Sequence, residues 1–450
     1  MKIIIYLSLT LLFNLSVSIA DELPRRGMLG VHLSHDSTNR SGGIILKIMP
    51  ESSAEEMGAE IGDKIISVNG KTVPSFSSLM MELSKSKKFE TTELIVIRND
   101  NKISLKGNLK PTPYIVKNEY QLNSFTYKGN QIRTIIEKPK GKGPFPTIYY
   151  IQGYPCQSCE YIEPTSPIRR FIDDLVELGY MVYRVEKPNM GDSRGDMECD
   201  EIDFTTENEI FSIGYDELLK SDFVDKNRLA IFGHSLGGMH APIISADKKP
   251  SATIVYGIRI DDWYDYMLKT FEIQVPLWEG GDYVLGAELK NQVRDFMYQI
   301  YFKGKLPEEL IDSDSTRIFF QTHLNYIGDN KFFGRSYKFF VDLNAKNMVK
   351  HWSEVRNPVL SLHGQYDLQA LDNESAKRIE EIVDYYNETE MADFIEVPNT
   401  EHIFMKVDSQ KQVAKLSESG QLFKYAADNY NEEIPYYVHN WLKKVYERTN

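Results

Sequence analysis

Short apolar runs that alternate with helical segments constrain the fold of this chain more than any other feature. The predicted strands cover residues 147–151, 181–185, 229–232, 252–256, 358–362 and 393–397. Strands that alternate with helices in this way form a mostly parallel sheet that is covered on both faces. We therefore expect a doubly wound α/β domain at residues 114–450.

The strand pattern is interrupted at residues 258–355. Trp, Tyr and Phe are frequent in this stretch, and its pattern predicts several helices. Aromatic side chains mostly pack a helical layer, and some of them line a pocket where the layer covers a site. We expect this stretch to be a helical cap inserted between two strands of the sheet.

A candidate nucleophile follows one of the predicted strands directly. Residues 233–237 read Gly-His-Ser-Leu-Gly and open a helix. A sharp strand-to-helix turn needs small neighbours and lifts the serine hydroxyl clear of the sheet. The motif alone would fit a glycine-rich turn without chemistry equally well. In its strand–turn–helix setting it nominates Ser235 as a nucleophile.

A serine nucleophile needs a base and a carboxylate that orients the base. Asp367 and His402 each come just after a later predicted strand. The order Ser, Asp, His is that of the nucleophile-elbow hydrolases, and open α/β sheets bind ligands at the carboxyl ends of their strands. Asp261 and Asp262, which follow the strand after Ser235, are the rival position for the carboxylate.

Two backbone N–H groups are candidates for an oxyanion hole. Gly153 follows the strand at residues 147–151 and lets the chain turn, so that the N–H of Tyr154 can point at a developing oxyanion. The N–H of Leu236, just past the nucleophile, is the second candidate donor.

These motifs resemble those of the α/β-hydrolase superfamily, in particular its secreted serine esterase- and peptidase-like members. The matching runs are Gln152-Gly153-Tyr154-Pro155, Gly191-Asp192-Ser193-Arg194-Gly195, Gly233-His234-Ser235-Leu236-Gly237-Gly238, His363-Gly364-Gln365-Tyr366-Asp367 and Glu401-His402. The resemblance implies that Ser235 is the nucleophile, Asp367 the acid and His402 the base of a catalytic triad. The chain departs from the pattern at Gln152, where many members have His. We expect no cofactor and no metal, since no His/Cys/Asp cluster has metal-ligand spacing.

The first part of the chain predicts a second, small β/α domain at residues 27–110, with short strands and a helix at residues 75–84. Its residue order resembles a PDZ domain of the bacterial secreted type. The matching pieces are Met28-Leu29-Gly30-Val31, the turn with Pro50, Ser53, Ala54 and Gly58, the run Gly62-Asp63-Lys64-Ile65, and Val68-Asn69-Gly70. The resemblance implies that Leu29, Gly30 and Val31 present N–H groups to the C-terminal carboxylate of a peptide. The bound peptide would add a strand to the sheet beside these residues. The alternative is a module that only packs beside the hydrolase domain.

Residues 1–20 predict a secretory signal peptide that is cleaved near Ala20. One Lys precedes an apolar stretch, and small residues follow it. The alternative is a membrane anchor, but Asn14, Ser16 and Ser18 interrupt the apolar run, which leaves it short of the roughly 20 residues that a spanning helix needs. We expect a protein without a stable membrane span that is exported across the inner membrane, to the periplasm if the source is a Gram-negative bacterium.

Charge and cysteine content limit the partners and the covalent links. The net charge is −13 without a basic run, which argues against nucleic acid as a partner. An exported protein can form disulfides. Because loops at one edge of a sheet can meet, we predict a bond between Cys156 and Cys199, and the alternative is a bond between Cys159 and Cys199.

Three functions follow from these features. The main prediction is hydrolysis of a small ester or other acyl substrate through an acyl-enzyme on Ser235. The second prediction applies the same residues to peptide bonds, with the PDZ-like domain presenting peptide C-termini. The third is an inert hydrolase fold that acts as a peptide-binding protein.

Overall fold

The structure is a computed structural model that describes residues 23–34, 43–74, 78–79, 82–83, 90–114 and 116–448. The predicted signal peptide lies outside the described residues, as does most of the helix predicted at residues 75–84. No helix in the described ranges combines the length and the apolar character needed to cross a membrane.

The N-terminal domain is built on one antiparallel sheet. In chain order its elements are β1 (Gly27–Met28), β2 (Val31–Leu33), β3 (Gly43–Ile48), helix Ser53–Glu56, β4 (Lys64–Val68), β5 (Lys71–Thr72), β6 (Thr91–Arg98), β7 (Asn101–Asn108) and β8 (Lys110–Pro111). The strand order is β2-β3-β4-β6-β7, β5 pairs with β4, and β1 pairs with β8. Leu94 and Val96 alternate with less buried residues along β6 and pack into the core of this domain, as one-sided burial of a sheet requires.

The large domain is built on an eight-stranded sheet of order β19-β18-β14-β13-β11-β12-β10-β9. Its strands are β9 (Glu119–Tyr127), β10 (Asn130–Lys138), β11 (Phe145–Ile151), β12 (Met181–Val185), β13 (Val224–His234), β14 (Ala252–Tyr256), β18 (Val359–Gly364) and β19 (Ala392–Val397). The pairs from β12 to β19 are parallel, whereas β9 and β10 form an antiparallel hairpin at one edge. The predicted doubly wound sheet is confirmed.

Helices cover both faces of this sheet. The side chains of β11 alternate between two buried clusters, with Tyr149 and Ile151 in one and Ile148 and Tyr150 in the other. Helices Phe204–Leu218, Gly237–Lys248 and Glu374–Asn387 pack on the first face, and helices Pro167–Glu177 and Ile434–Arg448 pack on the second. Further short elements are the 3₁₀ turn Cys199–Glu201 and helices Gln410–Glu418 and Leu422–Asp428.

The cap lies between β14 and β18. It holds helices Trp263–Ile273, Tyr283–Lys303, Pro307–Leu310, Asp314–His323, Tyr337–Asn344 and Met348–Ser353 and the 3₁₀ turn Val275–Leu277. It also holds a small antiparallel sheet that the sequence did not predict, formed by β15 (Tyr326–Gly328), β16 (Lys331–Phe332) and β17 (Arg335–Ser336). Asp329 and Asn330 both have positive φ, which suits the tight turn of this hairpin.

Residues 23–26, which we call the N-terminal arm, lie on the large domain. The Leu23 side chain is buried, and its carbonyl accepts a hydrogen bond from Arg133 at 3.0 Å. Arg25 forms an ion pair with the buried Glu160. The arm therefore anchors the chain to the large domain just before the PDZ-like sheet begins.

The chain is anchored again where it leaves the N-terminal sheet. The Arg26 N–H donates to the Asp192 carboxylate at 2.7 Å, while the Arg26 carbonyl accepts from the Thr112 N–H at 2.8 Å. Shortly afterwards the Tyr114 hydroxyl donates to Glu137 of β10 at 2.7 Å. The entry and the exit of the N-terminal domain thus lie side by side on the large domain.

Candidate active site

The predicted nucleophile lies on the turn between β13 and helix Gly237–Lys248. Ser235 has a φ of 55°, in the left-handed region, and its N–H donates to the Tyr256 carbonyl at 2.9 Å. Its neighbours are buried, but Ser235 itself is partly accessible. A strained serine that is exposed at the end of a buried strand is the geometry of a nucleophile elbow.

The predicted base and acid form a buried pair. Nδ1 of His402 lies 3.0 Å and 2.8 Å from the two carboxylate oxygens of Asp367. Oδ1 of Asp367 also accepts the N–H groups of Gln369 at 2.9 Å and of Ala370 at 2.7 Å. The carboxylate is therefore held from two sides, and Nδ1 of His402 is set as a donor.

Burial and pairing shift the pKa of each of these two groups in opposite directions. Burial disfavours the charge on Asp367, but the adjacent His402 holds the pKa of this carboxyl below its ordinary value. Burial likewise disfavours the imidazolium, yet the Asp367 carboxylate raises the pKa of His402 above its ordinary value. The pair therefore favours an imidazole that accepts a proton on its other nitrogen.

Ser235 and His402 share no hydrogen bond, but both lie at the end of β14, since the Ser235 N–H donates to the carbonyl of Tyr256 and His402 lies beside Gly257. Gly257 follows β14 with a φ of 65°, and a Cβ there would lie 2.8 Å from Nδ1 of His402 and 2.7 Å from Oδ2 of Asp367. The Ser235 hydroxyl itself has no hydrogen-bond partner among the described residues. Bonds of this kind are often long in ligand-free enzymes and tighten with substrate.

His234, which precedes the nucleophile, connects the strand to the loop of the base. Its Nε2 donates to the His402 carbonyl at 2.9 Å, so its Nδ1 accepts from the Tyr150 hydroxyl at 3.1 Å. Complete burial lowers the pKa of His234 to about 3, so the ring is neutral. Its role in the structure is to hold the His402 loop beside the end of β13.

The two predicted oxyanion donors belong to the turn that packs against the serine and to the residue that follows it. A Cβ on Gly153 would lie 3.1 Å from the Ser235 Cβ and 3.4 Å from its hydroxyl oxygen, so the 153–154 turn passes directly over the nucleophile. Within the described part of the chain, the N–H groups of Tyr154 and Leu236 have no hydrogen-bond partner. Both therefore remain candidate oxyanion donors.

The loop that carries Tyr154 is held by groups that sequence analysis missed. Lys187, two residues past the end of β12, donates to carbonyls of this loop, and Arg335 from the cap donates to the Tyr154 carbonyl at 3.0 Å. Both side chains are buried. The only sequence signal is the position of Lys187 at the carboxyl end of a strand beside the predicted site.

The cysteines lie in the same loop. Cys156 and Cys199, the first of the two predicted pairs, are joined by a disulfide with their Cα atoms 5.8 Å apart. Cys159 is free and buried. The disulfide connects the loop after β11 to the 3₁₀ turn beside the cap.

The rival carboxylates are engaged elsewhere. Asp261 forms an ion pair with Arg259, and the Asp262 side chain caps helix Trp263–Ile273 by accepting from the Asp265 N–H at 2.8 Å. Neither bonds to His402. The described residues contain no group of three or more His, Cys, Asp or Glu side chains placed to hold a metal ion.

The predicted peptide-binding loop of the N-terminal domain also has free donors. The Leu29 and Gly30 carbonyls accept from Ala54 at 2.8 Å and from Met49 at 2.9 Å, whereas their N–H groups have no partner among the described residues. Val31 begins β2, which pairs with β3. The loop is thus fixed through its carbonyls, and the described residues supply no acceptor for these two N–H groups.

Comparisons with known proteins match two parts of the chain. A family model described as "PDZ domain" matches residues 17–96, and one described as "X-Pro dipeptidyl-peptidase (S15 family)" matches residues 128–385. Among curated proteins, the chain is 46% identical over 63 residues to serine protease HTRA1 of Xenopus laevis, covering 14% of this chain and 13% of that protein. It is 30% identical over 92 residues to a probable periplasmic serine endoprotease DegP-like of Buchnera aphidicola, covering 19% of each. The chain therefore spans less than a fifth of the length of these relatives.

Two solved structures are similar to most of this chain. An esterase of Pyrococcus furiosus is 15% identical and covers 74% of this chain and 96% of its own, with a TM-score of 0.43. Est1E of Butyrivibrio proteoclasticus with bound ferulic acid is 16% identical and covers 67% of this chain and 97% of its own, with a TM-score of 0.42. The S15 model matches more than half of the chain, so the protein belongs to the X-Pro dipeptidyl-peptidase family S15, with an α/β-hydrolase domain preceded by a PDZ domain.

Proposed function

We propose that this protein is a serine hydrolase that cleaves a carboxylic ester through an acyl-enzyme. Ser235 is the nucleophile, His402 the base, Asp367 its orienting acid, and the N–H groups of Tyr154 and Leu236 hold the oxyanion. The observation that carries the proposal is that a buried His402–Asp367 pair and a strained, partly accessible serine both lie at the end of β14.

The geometry supports a two-step reaction. The Ser235 hydroxyl oxygen attacks the substrate carbonyl carbon while Nε2 of His402 takes the hydroxyl proton, and the carbonyl oxygen becomes an oxyanion. The C–O bond to the leaving group then breaks, and His402 gives its proton to the departing alcohol. Water repeats the sequence on the acyl-enzyme and releases the acid and free Ser235. The raised pKa of His402 supports this role because the imidazolium is stabilised when it forms.

A serine peptidase is the second candidate function. The name of the matched family, X-Pro dipeptidyl-peptidase, and those of the curated serine proteases favour it. The chemistry is identical except that an amine leaves instead of an alcohol. A catalytically inert peptide-binding protein is the third candidate, and its support is the two N–H groups of the PDZ loop that have no acceptor among the described residues.

Labelling with a fluorophosphonate, followed by substrates, tests these functions. The test compares the full chain with Ser235→Ala and with the control Ser245→Ala. Ser245 is a buried serine of the next helix. We expect labelling of the wild type and the control and none of Ser235→Ala. A wild type that is not labelled would leave only the inert function. Faster turnover of p-nitrophenyl esters than of X-Pro p-nitroanilides supports the esterase, and the reverse order supports the peptidase.

We also propose that Leu29, Gly30 and Val31 bind a peptide C-terminus. Fluorescence polarisation with a peptide that ends in a free carboxylate, and with the same peptide amidated, tests this proposal. Binding that is lost on amidation is expected, and equal binding of both peptides would contradict it.

Export is a further proposal, and residues 1–20 support it. The mass of the N-terminal peptide from protein in the periplasmic fraction is expected to begin near residue 21. An uncleaved N-terminus on protein that stays in the cytoplasm would contradict export.

A further inference from the structure

The oxyanion loop is held by one buried ammonium group. Nζ of Lys187 donates to three successive carbonyls, those of Gly153 at 2.7 Å, Tyr154 at 3.1 Å and Pro155 at 3.2 Å. The Lys187 side chain is fully buried. Burying an ammonium is costly unless its donors are satisfied, so this arrangement fixes all three carbonyls relative to β12.

The shortest of these bonds acts on the peptide group that carries the proposed oxyanion donor. The Gly153 carbonyl and the Tyr154 N–H belong to the same planar unit, in which C=O and N–H point in opposite directions. A cation fixed on the carbonyl oxygen therefore sets the direction of the N–H. It also draws electron density towards the oxygen, which makes the N–H a stronger donor.

We propose that Lys187 is a positioning residue for the oxyanion hole, which acts through the Gly153–Tyr154 peptide on the transition state rather than on substrate binding. This inference rests on the proposed hydrolase function. It does not make Lys187 a catalytic residue, since the ammonium faces the far side of the peptide from the reacting atoms.

The ionic partners of Lys187 do not explain its position. Its carboxylate neighbour, Glu207, lies 3.3 Å away but also pairs with Arg335 at 2.6 Å and with His240 at 3.2 Å. Glu207 therefore has two other partners without Lys187. The ammonium directs its remaining N–H groups at the three carbonyls of the oxyanion loop.

The charge of Lys187 is sensitive to pH in the alkaline range. Burial lowers its pKa to about 8, with Glu207 opposing and Arg335 adding to this shift, and Cys159 also faces it. His240, which contacts Glu207, is a further titratable group near Lys187: burial and, to a lesser extent, the Lys187 charge lower the pKa of His240. Above this pH the ammonium becomes an amine with one fewer N–H for the three carbonyls.

The test compares Lys187→Met with Lys138→Met in the full chain. Lys138 is also largely buried and contacts the Glu119 carboxylate and the Gly141 carbonyl, but it lies at the end of β10 and not on the oxyanion loop. Loss of a whole oxyanion donor costs about 10²–10³-fold in kcat, so we expect a loss of about 10- to 100-fold for Lys187→Met with KM unchanged. Lys138→Met is expected to keep the wild-type kcat.

A trifluoromethyl ketone separates positioning from general damage. Its adduct with a serine nucleophile places an oxyanion in the hole, so Lys187→Met is expected to weaken its binding by the same factor as kcat/KM. An unchanged kcat, a loss confined to KM, or unchanged affinity for the ketone would each overturn the inference. A wild type that is neither labelled by fluorophosphonate nor active would instead overturn the proposed function and this inference with it.

A measurement on the wild type covers the case in which Lys187→Met does not fold. Affinity for the ketone is expected to fall as the pH rises through about 8, as the ammonium loses its proton. Affinity for the matching methyl ketone, which forms little adduct, is expected to change less. Equal pH profiles for the two ketones would overturn the inference.

Discussion

Replacing Asp367 by Asn should invert the tautomer of His402. Oδ1 of the acid accepts two backbone N–H groups, from Gln369 and Ala370, so the amide oxygen of Asn must take this position. The amide NH₂ then occupies the place of Oδ2, 2.8 Å from Nδ1 of His402, and donates to it. Nδ1 becomes an acceptor, the proton moves to Nε2, and the base can no longer take the proton of Ser235.

The size of the effect follows from the competing orientation. Turning the amide would leave two buried N–H groups without an acceptor, at about 1–3 kcal/mol each. The productive orientation thus lies about 2–6 kcal/mol higher. At about 1.36 kcal/mol for each factor of ten, kcat should fall between about 30-fold and about 3 × 10⁴-fold. The loss should come without a large loss of stability, since the packing is unchanged.

Ester turnover and ¹⁵N NMR of the histidine ring nitrogens test this prediction together. The proton on Nδ1 in the wild type should appear on Nε2 in Asp367→Asn. Asp261→Asn is the matched control, because Asp261 pairs with Arg259 and should leave both readouts unchanged. A fall in kcat of less than tenfold, or a proton that stays on Nδ1, would refute the tautomer argument.

Three further predictions address the base, its packing and the disulfide. Because Asp367 raises the pKa of His402 and the base must be neutral, kcat/KM should fall as the pH drops through a pKa above the ordinary histidine value, and a pH–rate profile checks this. Gly257→Ala should abolish turnover and lower Tm, since its Cβ would lie 2.8 Å from Nδ1 of His402 at a positive φ; wild-type kcat would contradict it. Reduction of the Cys156–Cys199 bond should destabilise the protein by about 4 kcal/mol, because the bond closes a loop with a sequence separation of 43; denaturant titrations with and without reductant measure this.

The sheet was predictable from the sequence because its central strands are buried on both faces. Strands such as β14 are uniformly buried, which makes them nearly continuous apolar runs bounded by turn residues. The position of Ser235 was predictable for the same reason, since the motif directly follows such a run. The small sheet of the cap was missed because its strands are two or three residues long, too short for any periodicity.

Lys187 and the N-terminal arm were missed for a different reason. Lysine and arginine are usually placed at the surface, and a single sequence carries no sign that a charge is buried and paired. The partners of Lys187 are carbonyl groups, which every residue has, so no residue pattern marks them. Arg25 likewise finds Glu160 more than a hundred positions away, a contact that depends on the finished fold.

The attachment of the arm decides which fragments of this protein are informative. A hydrolase fragment that starts at residue 114 would lack the ion pair between Arg25 and the buried Glu160. It would also lack the hydrogen bond from the Arg133 guanidinium to the Leu23 carbonyl. Uncompensated charge in the interior is costly, so such a fragment would be unstable for reasons unrelated to any ligand of the PDZ domain. Excision of residues 29–109 with a short bridge, which retains both anchors, is the deletion that would measure what the PDZ domain contributes.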